Sequence, residues 1–510
     1  MRRPIILAAL LSAATALHAQ TSVSRADSLL VGRILLAEDR RDPADRALAE
    51  GLGNPNARVA QIARRAVARI RDPRLVARDS LGAYPAPPSY PDPAWRLRFR
   101  ALDPKKVDCV QLRSALADSV WHVRLRAADL LTATCAGDTE IITVLTGWLQ
   151  TAKNDSRKTN GAAWQPAAHA LVALSRVAPS DAREALPQFL RNDSHWVLAY
   201  VARAAAVLGD TQALRKLARD RNDNVKEAAV DLLSAMAGHA DDSLYAATLS
   251  AKGYQAVRAA ARALKGASST PALRRTLMVA AFRLRADSSE TSRDARVEVM
   301  TRLEELADAS QAGDLVALSN DFDCDLARRA AALALKFGMP TAAKCTPVAV
   351  RPLPADAVRL ALGAEVRLRV VMAASSGGGS FVVRLRGDVA PIMAARIIEL
   401  VKAKYYDGRA WHRVEPDFVI QGPSRGDNEY VGHPRFLRDE LGPVPHVRGT
   451  VGMSTRGHDT GDSQWFVNLK DNPRLGRDYS VFGEIVEGIE VADGVLEGDV
   501  IQRIEVVRGG

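Results

Sequence analysis

Aromatic residues are scarce in this chain, at 5% of its 510 residues, and cysteine is scarcer still, with four. The cysteine spacings fit no zinc motif, and none of the nine histidines precedes a glutamate, so a metallohydrolase helix of the His-Glu type is excluded. Beyond the N-terminus no apolar run is long enough to cross a bilayer. An acidic excess is also absent: the formal net charge is +11. What remains is an ordinary soluble composition, 47% hydrophobic and 25% charged, long enough for two to four domains. Alanine and arginine are abundant, which suits helices packed through small residues.

The N-terminus has the layout of a secretion signal. Arg2 and Arg3 precede an apolar stretch from Ile5 to Leu17, and small residues lead to Ala19. Residues 1–19 are therefore expected to be removed, with cleavage after Ala16 as the competing site. The mature chain is expected to be exported, periplasmic or extracellular, with no transmembrane segment. An oxidising compartment makes pairing of Cys109, Cys135, Cys324 and Cys345 possible. Four cysteines allow three connectivities; the local one joins Cys109 to Cys135 and Cys324 to Cys345, and four buried thiols are the alternative.

Charge is uneven along the chain. Residues 361–510 hold 19 Lys+Arg against 21 Asp+Glu, whereas the residues before them hold 51 against 38. The basic excess reads either as a solvated Arg-rich helical face or as a surface for acidic proteins or an anionic envelope surface. Nucleic acid is an improbable partner for an exported chain.

From residue 20 to 343 one block recurs. An Asp or Asn turn is followed by a basic or apolar residue and then by Ala-rich apolar spacing. Val59, Val123, Val197, Val225, Val257, Val297 and Leu326 anchor the copies, at intervals of one or two units of roughly 30 to 40 residues. Apolar positions at i, i+3, i+4 and i+7 give each helix one buried face. Asp118 to Ala128 resembles the Asp-x-x-x-Val-Arg-x-x-Ala-Ala pattern of HEAT repeats, which implies an all-α solenoid; an irregular helical bundle is the alternative. A Pro-rich break near 84–93 cannot be helical, and residues 344–364, with three prolines, read as a linker.

Beyond the linker the period changes to two. Val366 to Val370 and Val383 to Arg386 alternate apolar with charged residues around a Ser-Gly turn, the signature of a β-hairpin. An amphipathic helix from Ala390 to Leu400 follows, then the Tyr405-Tyr406-Asp407-Gly408 turn and Trp411-His412-Arg413-Val414. Farther on come Phe418-Val419-Ile420-Gln421-Gly422, Ser463-Gln464-Trp465-Phe466 and Val481-Phe482-Gly483-Glu484. This order of landmarks resembles the cyclophilin family of peptidyl-prolyl isomerases, over residues 365–508. The resemblance implies a mainly β, eight-stranded barrel with capping helices, no cofactor, and proline-containing polypeptide clients.

The resemblance also assigns residues. Arg413 corresponds to the catalytic arginine, and Gln421 to the glutamine that positions it. Phe418, Val419, Phe466 and Leu475 correspond to the proline pocket, and Met453 and Gln464 to the groove wall. Ser454-Thr455 stands where many members have Ala-Asn, and Tyr479 where many have histidine. His412 precedes Arg413, so its side chain is expected on the opposite face of the strand. The implied function is an exported isomerase assisting protein folding, with the helical region as a scaffold for clients. A barrel that grips proline segments without turnover is the alternative.

Overall fold

The structure, a computed structural model, describes residues 23–72, 84–151, 163–345 and 352–508. The expected signal segment and residues 346–351 of the expected linker lie outside the described residues. Helices fill the chain up to Lys336, and strands dominate after Val366. No helix among the described residues is long and apolar enough to cross a membrane.

All seven anchors fall in helices: Ala57–Arg71, Trp121–Leu130, His195–Leu208, Asp223–Ala237, Tyr254–Ala263, Arg293–Leu306 and Cys324–Lys336. Six of them are buried, and Val297 is partly so. Asn56, Asn222 and Asp323 cap their helices through side-chain oxygens that accept backbone N–H bonds, satisfying donors that the first turn leaves free. The last five anchor helices lie one against the next, and the final four of these also pack on the helix before them in sequence. Alanines make close approach possible: Ala202, Ala205, Ala229, Ala260 and Ala330 are fully buried in one continuous core. Disulfides join Cys109 to Cys135 and Cys324 to Cys345.

The strands are β1 (Val366–Met372), β2 (Ser380–Leu385), β3 (Arg413–Val414), β4 (Val419–Gly422), β5 (Thr450–Met453), β6 (Trp465–Asn468), β7 (Val481–Glu487) and β8 (Ile501–Arg508). They form one antiparallel sheet in the order β3-β4-β6-β5-β7-β2-β1-β8. The sheet curls, and the segment leading into β3 bonds to the segment that starts β8. The Trp411 N–H donates to Asp499 O at 2.9 Å and the Gly408 N–H to Ile501 O at 2.8 Å. Phe381, Trp411, Ile420, Phe482 and Ile485 fill the interior, and the helix Pro391–Lys402 packs on β7 and β8. Pro391 opens that helix at a position where no N–H is needed.

The first three helices, Arg25–Arg40, Arg46–Leu52 and Ala57–Arg71, do not join the long helical core. Their apolar faces, including Ile34, Leu35 and Ile62, share a core with the sheet and the helix Pro391–Lys402. Arginines tie this joint together. Arg69 is fully buried; it donates to the backbone oxygens of Val389, Glu440 and Leu441 and at 2.7 Å to Glu38. Arg65 reaches Glu38 at 3.4 Å and Asp388 O at 3.1 Å. Burial works against the Glu38 charge, but Arg65 and Arg69 hold its carboxyl below the ordinary value. The Pro-rich segment runs extended over the sheet: the Tyr90 hydroxyl donates to Ile485 O, and Pro85 O and Pro91 O accept from Arg386 and Arg448.

Candidate active site

β3 is only two residues long, yet it fixes the central pair. Its register places Arg413 directly opposite Gln421 on β4, so the two side chains leave the same face of the sheet. Arg413 Nη1 donates to Gln421 Oε1 at 3.1 Å. The connecting turn is closed by the Glu415 N–H donating to Val419 O and the Phe418 N–H donating to Glu415 O, each at 2.8 Å.

Alternation along β4 sends Val419 and Gln421 to this outer face and Ile420 into the interior. On β6, Phe466 lies opposite Gln421 and Trp465 turns inward. On β5 the outer position is Gly452, opposite Phe466. A Cβ there would stand 2.5 Å from the tip of the Phe466 ring, so only glycine leaves room for that phenyl. Val419, Phe466 and Leu475 form a small apolar cluster with Phe418 and Tyr479 against it. Tyr479 meets Phe466 edge-on at 5.6 Å, and His446 stacks on it at 5.8 Å. Burial lowers the His446 pKa and so favours the neutral ring.

The result is a cavity of about 150 Å³ with an apolar floor and Arg413 and Gln421 at its rim. Nine expected residues line it: Arg413, Phe418, Val419, Gln421, Ser454, Thr455, Phe466, Leu475 and Tyr479. Two do not. Met453 is fully buried beside Val451 in the sheet interior, because period-two alternation turns it away from the face that Gly452 occupies. Gln464 is buried too; its Nε2 donates to Glu429 O at 3.0 Å, so it steadies the neighbouring loop. Glu429 and Arg456 line the cavity without having been expected there. Their signals were the charged loop from Ser424 to His433 and the position next to Thr455. Arg474 lies over the Phe418 ring at 4.6 Å, and Glu415 and Glu429 flank the Arg413 guanidinium at 3.8 and 3.6 Å.

The helical region holds this site from behind. Arg96, fully buried, donates to Pro416 O in the β3–β4 turn and pairs with Asp493 at 2.9 Å. Arg100 pairs with Asp417 at 2.7 Å. Asn224 Nδ2 donates to Gly426 O and its Oδ1 accepts from Asn428, fastening the charged loop.

His412 is buried on the other side of the strand, as its place beside Arg413 implies, and neither ring nitrogen has a hydrogen-bond partner among the described residues. Burial and the adjacent Arg413 push its pKa down to about 3. In the unfolded chain the ring takes its proton near pH 6.5. The stability it contributes is thus complete above about pH 6.5 and is lost as the pH falls toward 3. The His412 ring resonances are expected to stay at their neutral positions from pH 8 to pH 5; a titration in that range contradicts this placement.

A guanidinium and an amide above an apolar pocket suit the twisting of an amide bond before proline. That bond has a barrier of about 18–20 kcal/mol from its partial double-bond character. Rotation breaks no covalent bond, so the site needs no nucleophile. A donor that meets the prolyl nitrogen as it loses resonance stabilises the twisted state above either planar one.

Comparison with known proteins leads to the same place. The family model for cyclophilin type peptidyl-prolyl cis-trans isomerase/CLD matches residues 369–507. Peptidyl-prolyl cis-trans isomerase B of Bacillus subtilis is 33% identical over 131 residues, 25% of this chain and 92% of that protein. The peptidyl-prolyl cis-trans isomerase of Helicobacter pylori is 34% identical over 130 residues, 25% of this chain and 80% of its own length. A solved cyclophilin-type isomerase of Cryptosporidium parvum aligns with 29% of this chain and 99% of its own at 21% identity, with a TM-score of 0.26. Through the curled sheet that carries Arg413 and Gln421, the chain belongs to the cyclophilin-type peptidyl-prolyl cis-trans isomerases.

Proposed function

We propose that this protein is an exported folding catalyst in which Arg413, positioned by Gln421, acts on Xaa-Pro bonds seated in the pocket of Phe418, Phe466 and Leu475. The observation that carries the reading is the cross-strand pairing of Arg413 and Gln421 at the rim of that pocket. The proline ring rests on the apolar floor, and Arg413 donates to the prolyl nitrogen as the amide twists. Ser454 and Thr455 border the chain that enters the groove.

The residues from 94 to 336 act as a HEAT-like solenoid. The successive stacking of the anchor helices and their capped, Ala-rich faces support this reading. The solenoid presents its share of the chain's basic excess to acidic client proteins or to an anionic envelope surface. Export rests on the N-terminal sequence and agrees with the two disulfides. N-terminal sequencing of protein recovered outside the cytoplasm tests it: a start at Gln20 or Leu17 supports removal of the leader, and an intact Met1 contradicts it.

A second reading has one specific observation behind it. Glu415 and Glu429 both neutralise Arg413, which would weaken a donor required in the transition state and leave a site that binds without turnover. Peptide exchange measured alongside peptide binding separates the two. Tight binding with an unchanged isomerisation rate favours the grip alone; acceleration at sub-stoichiometric protein favours the catalyst.

A further inference from the structure

A second, larger cavity lies between the helical array and the sheet. It measures about 600 Å³, within the range that buries a drug-sized ligand or a short peptide segment. It shares Arg413 and Glu429 with the proline pocket, so these two side chains border both spaces. Helical residues such as Tyr200, Arg203 and Glu227 form one wall. The β3 segment, the loop around Glu429 and the turn at Glu497 form the other.

The lining is unbalanced in charge. Asp129, Glu227, Glu415, Asp427, Glu429 and Glu497 face three arginines, Arg126, Arg203 and Arg413; His169 bonds Asp129, the Tyr200 hydroxyl donates to Glu497, and Glu415 and Glu429 flank Arg413, which leaves Glu227 the least compensated. Of the four histidines there, His169 makes its bond to Asp129 at 2.7 Å, and burial disfavours the charged form of His195, which stands 3.7 Å from Asp427, and of His412. Glu227 makes no hydrogen bond or ion pair among the described residues, and burial, then Asp231, push its pKa up to about 7 against the opposing pull of Arg258 and Arg262. On the opposite wall, both ring nitrogens of buried His412 have no hydrogen-bond partner among the described residues. Unpaired polar groups around an open space are costly unless something fills it. A cation that reaches Glu227 and Glu429 relieves this imbalance; the Tyr430 ring is already covered by Arg258 and Arg456, so the contact falls to the two carboxylates.

We propose that this chamber is an extension of the substrate groove that receives a lysine or arginine side chain flanking the client proline, with Glu227 and Glu429 as its acidic contacts. The array then takes part in substrate choice directly, and its outward basic surface has a separate role. The inference rests on the reading of Arg413 and the proline pocket as the isomerase site.

The test uses the full chain and a peptide series with one Xaa-Pro core. Each flanking position carries Lys, Ala or Glu in turn; exchange is followed by NMR and binding by fluorescence anisotropy. The account expects at least one position where Lys exceeds Glu by about tenfold in kcat/KM and in affinity, a factor worth about 1.4 kcal/mol. Glu227→Gln is expected to bring that ratio toward one. Equal rates and affinities for Lys and Glu at every position, with the Ala peptides turned over, overturn the chamber and leave the isomerase site standing. Absence of turnover for all peptides removes the catalytic reading instead, and the affinity ratios still decide the chamber. An unchanged ratio in a folded Glu227→Gln protein overturns the role of Glu227. If that variant does not fold, Glu429→Gln supplies the same ratio test.

Discussion

Replacing Arg413 with Ala is expected to lower kcat for a short Xaa-Pro peptide by about two to three orders of magnitude, the usual cost of one donor aimed at transition-state charge, about 2.7–4 kcal/mol. The side chain is partly exposed and belongs to no core, so the unfolding midpoint should barely move. Arg413→Lys should also be slow, because an ammonium cannot keep a planar donor fork directed at both Gln421 and the prolyl nitrogen. Glu415→Gln and Glu429→Gln bear on the same point from the other side. Both carboxylates flank the guanidinium, so removing them frees it. The measurement is exchange on an Ala-Pro peptide, and wild-type turnover in Arg413→Ala contradicts the mechanism.

The largest expected loss of stability follows Glu38→Ala. Glu38 is buried, with Arg65 and Arg69 both directed at it. Removing the carboxylate leaves two buried guanidinium groups facing each other with one counter-charge fewer, and loss of one partner of a buried pair costs about 3–5 kcal/mol. The remaining carboxylate, Glu440, cannot take over. Its two oxygens accept the Ile392 and Met393 N–H groups at the start of a helix, and burial pushes its pKa up to about 7. The exposed pair Arg33–Glu50, half open to solvent on both sides, is the control: its loss should shift the midpoint little. Denaturant unfolding followed by the fluorescence of the sheet tryptophans gives the comparison. Equal small effects at both pairs would mean that the first three helices are not structurally joined to the sheet.

That joint was hidden in the sequence for a physical reason. The stretch from Ala57 to Arg71 announces an amphipathic helix, but periodicity says which face is apolar and not what covers it. Arg65 and Arg69 read as members of a solvated basic face, and the fold buries both against backbone oxygens of the sheet. The break near 84–93 was legible as non-helical because proline forbids helix; its course over β7 depended on partners several hundred residues away. Local signals fared better. The Ser-Gly turn between alternating runs is the β1–β2 hairpin, Pro391 opens its helix, and the Asp and Asn turns cap the anchor helices. At the site, Arg413 and Gln421 could be chosen because they lie on adjoining strands with a short turn between. Met453 could not be excluded from the groove, since its face depends on the register of β5 against β6. The acidic chamber belongs to neither half of the chain alone, so no local pattern announces it.

The central claim is that the Arg413 site of the intact chain turns over Xaa-Pro bonds. It is tested most directly by NMR exchange spectroscopy on an Ala-Pro peptide in large excess over the full-length protein, with no coupling protease. Uncatalysed exchange takes tens to hundreds of seconds. The account predicts exchange cross-peaks on a sub-second mixing time with wild-type protein and none with Arg413→Ala. Identical spectra for the two proteins, or no cross-peaks with either, would contradict it.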